Sequence, residues 1–398
     1  MGAWFSLLLL CAAALGLGLL LAQCFALRKH TRAPAVAPGR TPAISILKPL
    51  CGLDEDLEAN LASFADLDYE RYEVVLSVKS ECDPAWEVAG AAARRWPARF
   101  RVVTQCGEPG LNPKVNQLVT LVRAARHEVL VVSDSNVRVD RGYLTEIAAL
   151  LEDDRVGLVT HPIVGVGERG LGSLMDHLHL ACSVGPGMVA AHRLAGRDIV
   201  VGKSMAIRRS DLAALGGFES VKDVLAEDYF MGLMITRVLG KRVAVARIPV
   251  QNVSARRTVG EFTARYCRWA VIQRQAVGPL AYAAQGLLNP VLLALVAVGF
   301  GRSLPSAAMA GGVCAVKIAI DRASARALRA GGFRPAHLAF VPAKDLLFGF
   351  AWAYGFLRRE VDWRGTRLRV LRGTQIDASR FDHGAARGMQ AVYTAEHN

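Results

Sequence analysis

No charged residue occurs between Met1 and Arg28, and none between Arg274 and Arg302. Each run exceeds the ~20 apolar residues that cross a bilayer core, so the chain reads as an integral membrane protein before any motif is considered. A cleaved signal peptide has a basic start and an apolar stretch of only about 7–15 residues. The first run has neither, and although "LLAQC" loosely resembles a lipoprotein cleavage site, Gln23 stands before Cys24 where a small residue is needed. An uncleaved anchor over residues 1–27 is the expectation. Arg28, Lys29, Arg32 and Arg40 follow at once, and the positive-inside rule then places the chain from residue 28 onward in the cytosol, under the inner membrane if the source is bacterial.

At 398 residues and 52% hydrophobic content, the chain has room for one ordinary domain besides its membrane segments. Its eight cysteines show no CxxC spacing, and Cys11, Cys24 and Cys314 lie in apolar runs, so neither a disulfide framework nor a zinc site is indicated. The net charge of +13 calls for an anionic partner. Beside membrane segments, an anionic lipid surface answers that better than nucleic acid does, and a phosphate-bearing substrate is a second answer.

Residues 28–43, rich in Ala, Pro and Arg, read as a linker. After them the apolar runs "ISILKPL" (44–50), "YEVVLSV" (72–78), "FRVVTQ" (100–105) and "EVLVVSD" (128–134) alternate with segments of helical period, each opening near an Asp, Asn or Pro. This alternation predicts an α/β domain over 44–270 with a mostly parallel sheet wound on both faces. "GVGERG", Gly165 to Gly170, matches a dinucleotide fingerprint. That fingerprint belongs in the first βα turn with an acid about 20 residues on. Here it follows four strands and leads to "MVAAHR", so a glycine-rich loop is expected.

Three acidic sites end apolar segments: Asp83, Asp134 and the pair Glu227–Asp228. A carboxylate at the end of a buried strand either caps the next turn or faces a metal or phosphate at the carboxyl edge of the sheet. In "RYCRW", Arg265, Arg268 and Trp269 share one helix face; an interfacial basic helix is the plainer reading of the same pattern. His177 and His179, with His192 beyond, lack the further Cys or His of a metal site and are expected at the surface or against lipid. The segment 170–191 is apolar but interrupted by Asp, His, Gly and Pro, so it is expected to lie against the bilayer on the acceptor side, a true span being the alternative.

In order and spacing, "ILKPLCGLDEDLEANLASFADLDYERYEVVLSV", "DP", "GLNPKVNQL", "SDSNVRV", "GLV", "AEDYFMG" and "RYCRW" resemble the ceramide glucosyltransferases, glycosyltransferase family 21, in a bacterial-type member. The resemblance covers about residues 41 to 270. It implies a Rossmann-like GT-A domain that moves a sugar, glucose, from a UDP-sugar to the hydroxyl of a membrane lipid, ceramide, with inversion. By the same resemblance Asp83 contacts the uridine, Lys114 helps hold the nucleotide, and Asp134 with Asn136 binds a divalent cation, Mg²⁺ or Mn²⁺, on the diphosphate. Asp228 is the catalytic base, with Glu227 tuning it or serving structure; Arg268 meets the departing diphosphate, and Trp269 packs near the acceptor. Arg265 stands where related enzymes carry Gln, on the nucleotide side. The chain departs from the common Asp-x-Asp motif at Asn136, a neutral and weaker ligand. A different lipid acceptor such as a hopanoid, a processive polysaccharide synthase, and a scaffold without activity are the rival readings.

The membrane segments after the domain occupy 271–357 and a basic tail 358–398. Residues 275–301 read as a span outward and "SLPSAAMAGGVCAVKIAI" as its return. The stretch 335–357 carries Lys344 and Asp345 near its middle, at about 3 kcal/mol apiece in hydrocarbon. It is therefore expected to be re-entrant or interfacial, with those charges paired or facing the site, and the tail cytosolic.

Overall fold

A computed structural model describes residues 2–197, 199–329, 332–363 and 366–377. The four expected strands form β1 (Ile44–Pro49), β2 (Tyr72–Val78), β3 (Phe100–Thr104) and β4 (Val129–Ser133). Six more follow: β5 (Val137–Arg138), β6 (Val156–Thr160), β7 (Ile163–Val166), β8 (Ser204–Arg208), β9 (Arg242–Val245) and β10 (Val250–Val253). The main sheet runs β3-β2-β1-β4-β8-β6-β9, and β5-β10-β7 form a smaller one.

Alternate side chains of each strand enter opposite cores, as the period of two requires. Ile44, Ile46, Val74, Leu76, Val129 and Val131 face the helices Leu57–Ala62, Ala85–Arg95 and Tyr143–Leu151. Leu47, Val75, Leu130 and Val132 face Pro113–Ala124 and Glu227–Arg237. Four of the six pairings in the main sheet are parallel, so the mostly parallel sheet of a GT-A-type domain is present. The exception matters most: β8 is antiparallel to β4, with Ser204 opposite Ser133. Its first residue therefore meets the last residue of β4, and the loop before β8 arrives at the same sheet edge as Asp134.

The helices Gly2–Thr31 and Leu304–Leu328 are long and apolar enough to cross a membrane. The span expected over 275–301 is not one straight helix. The helix Val259–Val277 uses the first of those residues, Gly278 turns the chain at φ +85°, and Pro279–Leu288 and Pro290–Gly301 meet at 81°. The break follows from Asn289-Pro290, since proline disfavours helical backbone in the residue before it. The Asn289 side chain accepts from Leu292 N at 3.1 Å and donates to the Asp345 carbonyl at 2.7 Å. The 12-residue second arm reaches about 18 Å, short of a ~30 Å core.

Lys344 and Asp345 are paired at 2.5 Å on the helix Val341–Leu357. They join Lys317 and Asp321 in a fully buried group, with Lys317 at 2.5 Å from Asp321 and 3.4 Å from Asp345. Beyond it β11 (Glu360–Trp363) and β12 (Thr366–Arg369) form a hairpin. Ile376 N then donates to Asp223 O at 2.8 Å and Leu225 N to Thr374 O at 2.9 Å. Residues 366–377 thus pack against the sheet domain; the rest of the tail, 378–398, lies outside the described residues.

The segment 170–191 is internal rather than laid against the bilayer. It forms the helix Leu171–His179, a π-turn and the helix Gly185–Ala195. Leu174, Leu178 and Cys182 pack on Ala325, Leu338 and Val341. His177 and His179, expected at the surface or against lipid, are buried with it: His177 Nδ1 lies 3.0 Å from Glu168 Oε2, and the His179 ring packs between Tyr266 and Phe348. Gly165, expected in a glycine-rich loop, instead lies in β7, where an added Cβ would strike the His177 ring; the loop occupies only the residues after Val166.

Candidate active site

Asp134 leaves the end of β4 with both carboxylate oxygens engaged. Lys114 Nζ lies 2.9 Å from Oδ1 and Lys203 Nζ 3.0 Å from Oδ2. Burial works to raise the Asp134 carboxyl, but the two lysines outweigh it and hold it well below the usual carboxylate range. Lys203 Nζ also donates to Asn136 Oδ1 at 2.6 Å. A third lysine, Lys48 at the end of β1, donates to Ser133 Oγ at 3.2 Å and to the Asp134 carbonyl at 2.8 Å, with its ammonium 3.9 Å from the centre of the Phe64 ring. Burial draws Lys48 down to about 7.

Lys114 is aimed by a helix start. Asn112 caps the helix Pro113–Ala124, its side chain accepting from Lys114 N at 3.0 Å and Val115 N at 3.3 Å, with Pro113 at the first helical position. The same Asn112 donates through its amide to the Val224 carbonyl at 2.7 Å, and Leu111 N donates to Asp223 Oδ1 at 2.8 Å. This ties the helix start to the loop before Glu227–Asp228. Lys114 Nζ consequently reaches Glu227 Oε1 at 2.8 Å. Burial opposes its charge, yet Asp134, Glu227 and Asp228 outweigh that and hold the ammonium above the usual lysine range.

Asp228 stands in the first turn of the helix Glu227–Arg237, where Gly202 N and Tyr229 N donate to its carboxylate. Burial first, and Glu227 second, push it up to about 6. Gly202 lets the backbone come close to both groups: an added Cβ would lie 2.9 Å from Asp228 Oδ2 and 3.0 Å from Lys114 Nζ, so those side chains would have to shift. A carboxylate poised near neutrality beside a cationic pocket is what proton removal during attack on a phosphate-activated carbon requires.

The other expected residues are placed differently. Asp83 Oδ1 accepts from Ala85 N at 2.8 Å, as a helix cap does, and from Gly52 N at 2.9 Å, which binds the loop after β2 to that after β1. Thr258 and Glu261 form a capping box that starts the helix Val259–Val277. From it Arg265 turns inward to Asp176 Oδ2 at 3.1 Å, an acid it shares with Arg257 at 2.6 Å and the Tyr266 hydroxyl at 2.7 Å. Trp269 lies under the Arg265 guanidinium at 4.7 Å. Arg268 faces the other way, into a groove of about 670 Å³ beside Tyr354 and Val361, and its Nη1 donates to the Asp362 carbonyl at 3.4 Å. Lys48, Lys203, Gly202 and Asp176 were not legible as site residues. For Lys48 a signal existed, because a lysine inside the apolar run "ISILKPL" must be buried and hence paired.

Asp134 and Asn136 offer a carboxylate and an amide oxygen, hard donors of the kind Mg²⁺ and Mn²⁺ accept. Among the described residues no three His, Cys, Asp or Glu side chains gather as a metal cage. So small a donor set fits an ion that shares its coordination with a phosphate-bearing ligand.

The sequence profile of glycosyl transferase family 21 matches residues 7–376. Ceramide glucosyltransferase 3 of Caenorhabditis elegans is 29% identical over 237 residues, which cover 58% of this chain and 50% of that protein. Ceramide glucosyltransferase 1 of the same organism is 31% identical over 235 residues, covering 57% and 49%. The chain therefore spans about half the length of these curated relatives. Among solved structures, a mannosyltransferase from Pyrobaculum calidifontis in complex with GDP-Man and Mn²⁺ is similar with a TM-score of 0.53 at 20% identity, covering 89% of this chain and 99% of that one. At that identity the likeness is one of fold.

Proposed function

This chain belongs to glycosyl transferase family 21, and from that premise we propose that it transfers a sugar, glucose, from a UDP-sugar to the hydroxyl of a membrane lipid, ceramide, with inversion at the anomeric carbon. The observation that carries the reading is the Lys114 bridge. One ammonium touches Asp134 on one side and Glu227 on the other, so a phosphate-attracting edge and a carboxylate near neutrality occupy one site. The names of the curated relatives support the lipid acceptor, and the GDP-Man and Mn²⁺ in the solved neighbour support a nucleotide-sugar donor.

In this reading Lys48, Lys114 and Lys203 draw the diphosphate to the end of β4, and Asp83 meets the uridine. Asp228 takes the proton of the acceptor hydroxyl while its oxygen bonds to the anomeric carbon. The bond from that carbon to the phosphate oxygen breaks on the opposite face, and UDP leaves with the electron pair. Trp269 flanks the acceptor and Arg265 supports the nucleotide side of its helix, while Arg268, which bonds the Asp362 carbonyl in this structure, has to turn out of its groove to fork onto the departing diphosphate. A divalent cation held by Asp134 and Asn136 would supply Lewis-acid charge to the leaving group. The chain faces the cytosol with its sheet domain and meets an anionic membrane surface with its basic residues.

Purified protein in nanodiscs, given UDP-glucose, UDP-galactose and GDP-mannose with ceramide, diacylglycerol or hopanoid extract, tests this directly. A β-linked glucosylceramide from the α-linked donor is the expected product. Glucosylation of another lipid alone would correct the acceptor, and no transfer from any UDP-sugar would overturn the reading.

A further inference from the structure

Lys203 Nζ stands 2.6 Å from Asn136 Oδ1 and 3.0 Å from Asp134 Oδ2, between the two oxygens that suit a cation. Mg²⁺ binds oxygen at about 2.0–2.1 Å, so an ion on that pair would fall within the space the ammonium fills and against its like charge. One of the two has to leave. Lys114 also touches Asp134, at Oδ1 and 2.9 Å, but has further anchors in Glu227 Oε1 at 2.8 Å and the Gly202 carbonyl at 3.3 Å. The Lys203 ammonium is held by the contested oxygens themselves.

The place of Lys203 in the chain suits it to move. It follows Gly202 in the loop that the antiparallel β8 brings to the end of β4, and its four-carbon stem carries a compact charge with three rotatable donors. Asn136 contributes no charge, so the pair presents one negative charge rather than two. An incoming ion then gains less by displacing an ammonium than it would on two carboxylates. A diphosphate beside Asp134 would give Lys203 a second anionic partner and so remove the cost of letting go.

Resting on the proposed use of a UDP-sugar, we infer that Lys203 is a built-in counter-cation: it keeps divalent ions off Asp134 and Asn136 until a nucleoside diphosphate arrives, then moves to the diphosphate and yields its place to the ion. Metal and nucleotide binding are thereby coupled, and the coupling is reciprocal.

The test titrates the full-length protein in detergent with Mn²⁺, free ion being read by electron paramagnetic resonance, with and without UDP. Wild type is expected to bind Mn²⁺ weakly alone and about tenfold or more tightly once UDP is present, within the usual range of coupling between sites. Lys203→Met and Lys203→Gln should each bind Mn²⁺ alone about tenfold more tightly than wild type, and UDP should then add little. Lys203→Arg, which keeps the charge, should stay weak without UDP. Equal Mn²⁺ affinity of wild type and the neutral variants without UDP overturns the inference. If UDP fails to bind the wild type, the donor reading falls, while the comparison with Mn²⁺ alone still decides whether Lys203 excludes the ion.

Discussion

Lys114 and Glu227 are joined by a 2.8 Å ion pair at the sheet edge, and each reaches it from the start of its own helix. The pair sets the charge that Asp228 feels, since Glu227 raises its carboxyl while Lys114 lowers it.

The pH dependence of transfer follows from that balance. Asp228 must be ionised to accept a proton, and its carboxyl sits at about 6. The account predicts kcat/KM that falls tenfold per pH unit on the acid side of that value, with a second, alkaline decline as Lys48, drawn down to about 7 by burial, loses its charge. In Lys114→Met the acid limb should move to higher pH, because the charge that lowers Asp228 is gone. A pH profile of both proteins with saturating lipid checks the direction.

Asp134→Ala removes the only carboxylate of the Asp134–Asn136 pair. Without it Mn²⁺ is expected to change UDP affinity by less than about threefold, against the tenfold or more of the wild type. Isothermal titration of UDP with and without Mn²⁺ measures this, and unchanged coupling in the variant would place the ion elsewhere.

Gly202→Ala inserts a Cβ 2.9 Å from Asp228 Oδ2 and 3.0 Å from Lys114 Nζ. Displacing the base should cost on the order of 10² in turnover, with thermal stability little changed because the loop backbone keeps an ordinary φ. Turnover and melting temperature of the same preparation separate the two effects.

The buried group Lys317, Asp321, Lys344 and Asp345 predicts a stability result far from the chemistry. Asp321→Asn leaves two buried ammonium groups undercompensated and should cost about 3–5 kcal/mol. Adding Lys344→Met should return part of that loss, since an apolar side chain then replaces a surplus charge. Melting of the single and double variants in detergent, compared as a cycle, reads the coupling.

The parallel half of the sheet was legible because β1 to β4 are continuous apolar runs, and Asp134 because it ends one of them. The antiparallel β8 was not, since "SMAIR" is five residues with no local mark of direction; that insertion is what carries Lys203 to Asp134. The "RYCRW" residues were expected on one helix face, but only Arg265 and Trp269 meet, because Asp176, an acid within an apolar segment, draws Arg265 inward while Arg268 turns to the Asp362 carbonyl. At 289–290 the signal was present in Asn-Pro, but hydropathy averaged over the run concealed the bend. The burial of His179 depends on helices more than 80 residues away in the chain, which no local pattern reports.

Asp228→Asn, assayed for transfer from UDP-glucose to ceramide and in parallel for UDP binding, bears most directly on the central claim that this carboxylate is the base of a UDP-sugar-dependent lipid glycosyltransferase. Turnover should fall by about 10²–10⁴, while the dissociation constant for UDP stays within about threefold of wild type because the lysines that meet the diphosphate are untouched. A variant that keeps more than about half of the wild-type turnover would contradict the assignment.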